Sequence, residues 1–243
     1  MSDNKVTDKK PGSIYLIPNL LGETGPHDVL PSRVFQIIKR LRYYIAEDIR
    51  TARRFLKKAG IPFQLDEVSF NILNKHTLEE DIPGFLSPAF EGNDTGIISE
   101  AGIPCVADPG SEIVSMAHEK GLRVIPLTGP SSIFLALMAS GLNGQSFIFH
   151  GYLPVKPALR YNALKKIEND SAINNRSQIF METPYRNMKM VESILSVCQP
   201  SARLCIACDI TMPTEFISTN TILGWRKKKP DIHKRLVIFI LQA

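Results

Sequence analysis

The chain has 243 residues, 44% hydrophobic and 22% charged, the composition of a globular protein with one large domain or two smaller ones. It contains no run of about 18 apolar residues, which argues against a membrane-spanning helix, and its polar start, MSDNKVTDKKPG, predicts a disordered tail over residues 1–11 instead of a signal peptide. The net charge of +5 is compatible with an anionic partner but does not require one.

In the first half of the chain, apolar runs alternate with helical patterns. A polar stretch around LNKHTLEEDIPGF and an ambiguous segment after it separate the second helix from the third strand. The predicted strands are SIYLIPN, YYIAED, TGIISE and LRVIPL, and the predicted helices are PSRVFQIIKRLR, TARRFLKKAGI, SEIVSMAHEK and IFLALMAS.

The second half keeps this alternation but ends in strands. A polar loop around Thr214 and Glu215 is predicted between the last two of them. The strands are QSFIFHGYLP, SQIFME, ARLCIACDI and KRLVIFILQA, and the helices are PALRYNALKKIEN and YRNMKMVESILSVC. This order predicts an α/β fold of two domains, residues 12–127 and 128–243.

Four cysteines occur, at Cys105, Cys198, Cys205 and Cys208. In a chain of this size without an export signal, they predict free thiols in a reducing, cytoplasmic setting. CIAC has the spacing of some zinc and redox sites, but it lies in a predicted strand, where positions three apart point to opposite faces. We therefore expect core thiols and no metal site.

The loops that follow the predicted strands are the candidate functional segments, because ligands of open α/β sheets bind beyond the carboxyl ends of the strands. None of them has the glycine pattern of a dinucleotide site, a P-loop or a nucleophile elbow. In IISEAGIPCVADPG, Gly102 gives backbone freedom and Pro104 fixes φ, which presents main-chain groups to a ligand. Glu100 is placed to accept hydrogen bonds from a ribose or an amine.

Two other segments allow a structural or a functional interpretation. In GPSSIF, Ser131 and Ser132 either cap a helix or face a bound anion or a cofactor carboxylate. In IAEDIRTAR, Asp48 or Thr51 caps a helix with Arg50 as ion-pair partner, or the turn forms a polar site.

The basic clusters KRLRYY, RTARRFLKK and WRKKKP have the same two interpretations. They are solvated surfaces, or they form a footprint for a phosphate backbone in which Arg50, Arg53 and Arg54 contact phosphate. His76 is predicted to be a surface or loop histidine.

Taken in order, these segments resemble the tetrapyrrole (corrin/porphyrin) methylase superfamily. Within it they are most similar to the ribosomal RNA small subunit methyltransferase I branch, which methylates a cytidine 2′-hydroxyl. The resemblance extends from about Gly12 to the end of the chain. The segments that carry it are IYLIPNLLGE, IAEDIR, IISEAGIPCVADPG, RVIPLTGPSSIFLALMASGL, FHGYLP, QIFMETPYR, ACDIT and LVIFIL.

The resemblance implies a homodimer of chains with two α/β domains, and S-adenosylmethionine held folded in the cleft between the domains. It also implies a ribosomal RNA or ribosomal subunit as partner, with Arg50, Arg53, Arg54 and His76 as substrate contacts. Since a ribose hydroxyl needs a base if it loses its proton early, Glu47, Asp48 and Glu100 are the candidate catalytic acids. The implied cofactor contacts are Pro18, Ser99, Glu100, Ala101, Gly102, Ser131, Ser132, Met181, Ala207 and Cys208.

The chain departs from this branch at several positions. Glu23 and Ile49 stand where the branch usually has Asn and a hydroxyl residue, and Lys234 and Arg235 replace a Gly-Glu pair. The His-rich turn of the branch is reduced to His76, and its extra C-terminal segment is not found. These departures affect the motifs implied to contact the substrate more than the motifs implied to contact the cofactor.

Three alternatives to an RNA methyltransferase follow. The acceptor is a small molecule such as a tetrapyrrole, or it is a protein side chain, or the chain binds S-adenosylmethionine without transferring its methyl group.

Overall fold

The structure, a computed structural model, describes residues 10–74 and 76–243. Most of the predicted disordered tail, residues 1–9, lies outside the described residues. The chain divides into two compact units, one that ends at Pro130 and one that begins at Ser131. In the described part of the chain, each unit has one five-stranded sheet.

The first unit is built on a parallel sheet with the strand order β3-β2-β4-β1-β5. Short 3-10 helices cover Leu65–Glu67 and Ile82–Leu86. Its strands are β1 (Ser13–Ile17), β2 (Tyr43–Ala46), β3 (Ser69–Ile72), β4 (Thr95–Ile98) and β5 (Arg123–Pro126), and its helices are α1 (Pro26–Val29), α2 (Ser32–Ile38), α3 (Ile49–Lys58), α4 (Ser87–Phe90) and α5 (Gly110–Glu119).

Helices cover both faces of this sheet, as expected for strands that are apolar on both sides. Tyr15 and Tyr44 pack with Phe55 of α3 on one face. Ile14 packs with Ile113 of α5 on the other. The helices that follow β1 and β2 thus lie on the face opposite to the helix that follows β4. Connections that leave neighbouring strands toward opposite faces open a crevice at the carboxyl edge, which is the usual ligand position in such sheets.

The second unit has a mixed sheet with the strand order β6-β7-β10-β8-β9, in which only β6 and β7 are parallel. A 3-10 helix covers Pro184–Arg186. The strands are β6 (Phe147–Tyr152), β7 (Ser177–Glu182), β8 (Arg203–Cys208), β9 (Phe216–Thr221) and β10 (Val237–Gln242), and the helices are α6 (Ser132–Ser140), α7 (Pro157–Asn174), α8 (Asn187–Val197) and α9 (Ile222–Lys227).

The core of the second unit lies between this sheet and α7, α8 and α9. At its centre, the rings of Phe180 and Phe239 stack at 5.5 Å. Cys208 belongs to the same core, whereas Cys205, three positions earlier on β8, points to the opposite face. The two thiols of CIAC therefore do not share a side of the sheet.

The sequence-based prediction did not include two of the strands, β3 and β9. β9 forms where a polar loop was predicted, and β3 forms in a stretch to which no strand was assigned. Both lie at the edge of their sheet and bury little of their surface. Their sequences, SFNI and FISTNT, therefore lack the apolar pattern of an interior strand.

Among the described residues, no helix is both long and apolar enough to cross a membrane.

Candidate active site

One buried side chain, Asn19, ties the loop after β1 to the loop after β4. Its side-chain Nδ2 donates hydrogen bonds to the main-chain carbonyls of Ser99 and Glu100, at 3.0 and 3.1 Å. Its peptide N–H donates to the carbonyl of Gly102 at 2.8 Å. Asn19 therefore fixes the path of the SEAG segment, although the sequence analysis did not identify it as a site residue.

Gly102 gives this loop its shape. Its φ of +68° lies in the left-handed region that favours glycine, and its N–H donates to the carbonyl of Leu20 at 3.3 Å. A Cβ at this position would lie only 3.0 Å from Cδ2 of Leu21. The hydroxyl of Ser99 is turned inward and donates to the carbonyls of Ala101 and Gly102 at 3.2 and 3.0 Å. Both residues thus hold the loop's conformation.

Glu100 and Ala101 form the exposed part of the same loop. In the portion of the chain that the structure describes, no group accepts a hydrogen bond from either peptide N–H. Pro18 is buried instead, and Gly129 lies so close that a Cβ on it would be 2.2 Å from the Pro18 Cβ. Among the predicted cofactor contacts of this unit, Glu100 and Ala101 offer main-chain donors, whereas Pro18, Ser99 and Gly102 shape the wall behind them.

Glu47, directly after β2, is a half-buried carboxylate at the carboxyl edge of the first sheet. Burial raises the pKa of its carboxyl above the ordinary value, and the negative charges of Glu100, Asp108 and Asp48 raise that pKa further. The structure therefore brings Glu47 and Glu100 to the same edge of the sheet, as expected for residues at the ends of neighbouring parallel strands. Perturbation by burial and by specific charges in a crevice is typical of acid–base groups.

Asp48, the residue next to Glu47, has a structural role. Its carboxylate is the N-cap of α3 and accepts a hydrogen bond from the N–H of Thr51 at 2.7 Å. That hydrogen bond is the main reason why the pKa of Asp48 is lowered. A carboxylate that is stabilised in its charged form and occupied by a cap is a weak base, so Glu47 is the better candidate of the two.

The outer face of α3 is entirely basic. The helix buries Ala52, Phe55 and Leu56 against the core. Arg53 lies 4.0 Å from Asp66, and Lys58 lies 3.5 Å from Glu23. Over residues 10–74 and 76–243, no acidic group lies within salt-bridge distance of Arg50, Arg54 or Lys57. The exposed residues of this basic face are Arg50, Arg53, Arg54, Lys57 and Lys58.

His76 is exposed in a turn that follows β3. Its peptide N–H donates to Oδ1 of Asn74 at 2.9 Å. The residue thus occupies the surface position that the sequence predicted, in a loop that follows the carboxyl end of the edge strand.

The rest of the loop after β4 is conformationally strained. Cys105 and Ala107 have φ values of +67° and +59° without being glycine. The carboxylate of Asp108 accepts hydrogen bonds from the N–H of Gly110 at 2.7 Å and of Cys105 at 3.4 Å. Asp108 therefore closes the turn that leads into α5, while its charge acts on Glu47.

In the second unit, the two predicted serines begin α6. Ser131 is the buried N-cap, and its hydroxyl accepts a hydrogen bond from the N–H of Phe134 at 3.5 Å. Ser132 is the first residue of the helix and is half-buried. The structure thus shows the capping geometry for Ser131, and Ser132 is the one with the more accessible side chain.

Met181 and Ala207 lie on either side of Ile238, because both are in register with it and β10 separates β7 from β8. Cys208 is in register with Val237, so its side chain lies on the other face, within the core. Burial, together with the charge of Asp209, raises the pKa of the Cys208 thiol to about 12. Cys208 is fully buried, and its thiol is part of the core and does not face a ligand site.

Two ion pairs that the sequence analysis missed lie at this edge of the second sheet. Arg235 donates to Asp209 at 2.8 Å, and Arg186 donates to Glu182 at 2.6 Å. Burial alone would raise the pKa of Asp209, but hydrogen bonds from Arg235 and Thr214 hold that pKa below its ordinary value. The partners are close in space but distant in sequence in the first pair, which leaves no local signal.

Within the described residues, no group of three or more His, Cys, Asp or Glu side chains is arranged to hold a metal ion, and all four cysteines are free.

Comparison with known proteins finds proteins of similar sequence and one solved structure of similar fold. Ribosomal RNA small subunit methyltransferase I of Escherichia coli O157:H7 is 29% identical over 246 residues, which cover 100% of this chain and 82% of that protein. The protein of the same name from Pseudomonas aeruginosa is 29% identical over 85% of this chain and 69% of its own length. The one from Halalkalibacterium halodurans is 31% identical over 76% and 60%. No family model matches the chain.

The fold is also that of a solved methyltransferase. The crystal structure of the methyltransferase CobJ matches 96% of this chain and 94% of its own chain with a TM-score of 0.63, at 17% sequence identity. The predicted resemblance is confirmed. The chain is similar in sequence to ribosomal RNA small subunit methyltransferase I, and its α/β fold is of the tetrapyrrole methylase type.

For this methyltransferase relative, the predicted class of enzyme is confirmed as well. The predicted cofactor, S-adenosylmethionine, is the methyl donor that goes with this class.

Proposed function

We propose that the chain transfers the methyl group of S-adenosylmethionine to RNA of the small ribosomal subunit, at a ribose 2′-hydroxyl. The observation that carries the RNA acceptor is the basic face of α3, which begins at the same sheet edge as Glu47 and Glu100. Similarity to ribosomal RNA methyltransferases over the whole chain supports the same acceptor.

The loop after β4 fits a cofactor contact. Its exposed Glu100 and Ala101 have peptide N–H groups that donate to no described residue, and Asn19 and Gly102 hold them in place. Ser132, Met181 and Ala207 are the candidate cofactor contacts of the second unit. Once bound, S-adenosylmethionine supplies an activated methyl group on a sulfonium. Because its transfer is an in-line displacement, the main task of these residues is to hold the donor and acceptor in line.

Glu47 would act as the base that takes the proton of the ribose hydroxyl. It is half-buried, its pKa is raised by burial and by three neighbouring carboxylates, and it has no capping task. A carboxylate with a raised pKa is a stronger base in its ionised form. Glu100 would contribute mainly through its charge and its main chain.

The basic face of α3 would hold the RNA by its phosphates. Arg50, Arg54 and Lys57 are exposed cations that form no salt bridge with a described acid, so phosphates can pair with them without breaking one. Such contacts position an RNA strand and do not read its sequence.

The test is methyl transfer from labelled S-adenosylmethionine to three acceptors: small ribosomal subunits, protein-free ribosomal RNA and a metabolite extract. We expect label in the RNA, recovered after nuclease digestion as a ribose-methylated nucleoside. Glu47→Gln should lower the rate, whereas Glu91→Gln, an exposed glutamate of the same unit, should not. Label found only in small molecules or in protein would refute the RNA acceptor, and no transfer to any acceptor would refute the proposed activity.

The homodimer and the cytoplasmic location that the resemblance implies belong to this proposal too. Light scattering on the purified chain tests the dimer, and fractionation of the source cells tests the location. A mass of one chain, or recovery outside the cytoplasmic fraction, would contradict these two parts.

A further inference from the structure

An exposed aromatic ring and a lysine stand together at the edge of the second sheet where β7 and β8 end. Tyr185 is 73% exposed, more than any other Phe, Tyr or Trp in the described part of the chain. The ammonium of Lys234 lies 5.7 Å from the centre of its ring, at the outer limit of a cation–π contact. One side of the ring thus faces a cation, and most of the ring remains open to solvent.

The backbone holds this pair in place. The N–H of Lys234 donates to the carbonyl of Pro184 at 3.1 Å. The amide of Asn187, which is fully buried, donates to the carbonyls of Arg235 at 2.7 Å and of Ile232 at 3.3 Å. The segment before β10 is therefore pinned to the turn after β7, and the pairing of the two side chains follows from the fold.

Lys234 occupies a position that suits glycine better. Its φ of +59° lies in the left-handed region, which an L-residue with a long side chain rarely adopts. A side chain that no packing requires and that the backbone disfavours points to a task for the side chain itself. Here the lysine brings a positive charge beside an open aromatic ring.

We propose that Tyr185 and Lys234 form a stacking site for an unpaired nucleobase of an RNA strand, with the ring of Tyr185 against the base and Lys234 against the adjacent phosphate. This inference rests on the proposed function and deepens it by naming the state of the substrate. Proteins that recognise single-stranded RNA combine exposed aromatic rings, on which bases stack, with cations that follow the backbone. A duplex, whose bases are stacked on each other, offers no free face to Tyr185.

The position of the site supports this assignment. Tyr185 lies three residues after the end of β7, the strand that carries Met181, one of the proposed cofactor contacts. A base held there would lie at the end of the sheet where β7 and β8 finish, close in sequence to Met181 and near the strand end that carries Ala207.

The experiment measures the affinity of the purified chain for a fluorescent, unstructured oligoribonucleotide and for the same sequence as a duplex. The variants are Tyr185→Ala, Tyr185→Phe and Lys234→Gly, with Lys166→Ala as the matched control on the exposed surface of α7. Thermal unfolding is recorded for each. Lys234→Gly relieves the left-handed conformation, so its stability should equal or exceed that of the parent chain.

We expect the single strand to bind more tightly than the duplex. Tyr185→Ala should weaken single-strand binding roughly 5- to 150-fold, the range of one lost base stack, and Tyr185→Phe should restore it. Lys234→Gly should lower the slope of log affinity against log salt by about 0.7, the value for one phosphate on a single strand. Lys166→Ala should change nothing.

The inference is overturned if Tyr185→Ala and Lys234→Gly bind the single strand as the parent chain does, or if the duplex binds equally well. That outcome leaves the proposed function intact when the parent chain still methylates RNA. Conversely, single-strand binding that depends on Tyr185, without any methyl transfer to RNA, would uphold this site and refute the proposed function.

Discussion

The side-chain Nδ2 of Asn19 donates a hydrogen bond to the main-chain carbonyl of Ser99 at 3.0 Å, across 80 residues of sequence. Asn19→Ala leaves this carbonyl and that of Glu100 without their donor. We expect the free energy of unfolding to fall by about 1–3 kcal/mol, the range for unsatisfied buried polar groups, and S-adenosylmethionine to bind more weakly. Chemical denaturation and calorimetry measure the two effects.

Asn19→Asp is the sharper variant of this test. It keeps the oxygen that accepts a hydrogen bond from the N–H of Leu20 at 2.7 Å but replaces the donor with a charged acceptor. We expect it to weaken cofactor binding at least as much as Asn19→Ala. Cofactor affinity that is unchanged in both variants would show that the tie between the loops does not serve the site.

Glu47→Gln should have opposite effects on activity and on stability. Loss of a general base lowers the rate about 10²- to 10⁴-fold. The folded-state pKa of Glu47 is raised, so the folded chain keeps this proton to higher pH than the unfolded chain and loses stability as pH rises through that window. Glutamine mimics the protonated form. The variant should therefore unfold at a higher temperature at pH 7, with no gain below the ordinary glutamate pKa.

The pH dependence of methyl transfer gives a second measurement on Glu47. The parent chain should gain rate as pH rises through the raised pKa of Glu47, because only the ionised carboxylate accepts a proton. Glu47→Gln should lose this limb of the profile. A variant that keeps both the limb and the rate would assign the base to another group.

Asp48→Ala should destabilise the chain by about 0.5–2 kcal/mol, the usual effect of removing a helix N-cap. Because serine also caps, Asp48→Ser should retain most of the stability and the methyl transfer activity. Thermal unfolding and the methyl transfer rate distinguish the roles. An inactive but stable Asp48→Ser chain would mean that the carboxylate itself takes part in the chemistry.

Comparing Gly102→Ala with Gly121→Ala distinguishes the effect of steric contact by the new methyl group from the effect of the left-handed backbone conformation. Both glycines are left-handed, at φ +68° and +71°, so either substitution costs about 1–2 kcal/mol in backbone conformation. At Gly121 the new methyl group meets open space, whereas at Gly102 it would lie 3.0 Å from Leu21 and 3.3 Å from the carbonyl of Pro130. Gly102→Ala should therefore lose more stability and, unlike Gly121→Ala, should weaken S-adenosylmethionine binding. If the two variants lose equal stability and equal affinity for S-adenosylmethionine, Gly102 has no special role in shaping the cofactor loop.

Arg54→Ala should reduce the salt dependence of RNA binding by one phosphate contact, a slope change of about 0.7–0.9. Lys120→Ala, which removes a lysine at the end of α5 on the other face of the first sheet, is the control. Binding titrations at several salt concentrations measure both slopes. If both variants shift the slope equally, the RNA is held by overall charge and not by α3.

Much of the fold was predictable because interior strands and helices carry their periodicity in the sequence. TGII in β4 is buried at every position, and the solvent-facing positions of α3 are basic, so both patterns were visible. β3 and β9 were not, because an edge strand draws its stability from hydrogen bonds to one neighbour and places little apolar surface in the core.

The site was predictable where a loop's composition reports its geometry. Gly102 and the exposed Glu100 followed from the SEAGIP motif, and Asp48 was recognisable as a possible cap. Asn19 and the pair of Asp209 with Arg235 were not recognisable, because their partners are distant in sequence and, for Asn19, are main-chain carbonyls that any residue provides. An asparagine in a loop usually indicates a turn, so the sequence gives no sign that Asn19 connects two loops by hydrogen bonds.

The position of β10 has a consequence for the order of folding. In the second sheet, β6 pairs with β7, and β8 pairs with β9, but the two pairs meet only through β10, which follows all of them along the chain. Neither pair can complete the sheet during synthesis until this strand emerges and inserts between them. Loop closure over so long a separation is slow. All strands of the first sheet are synthesised earlier, so the first unit can fold before β10 emerges. In such nascent chains the second unit is incomplete and still exposes the unpaired edges of β7 and β8.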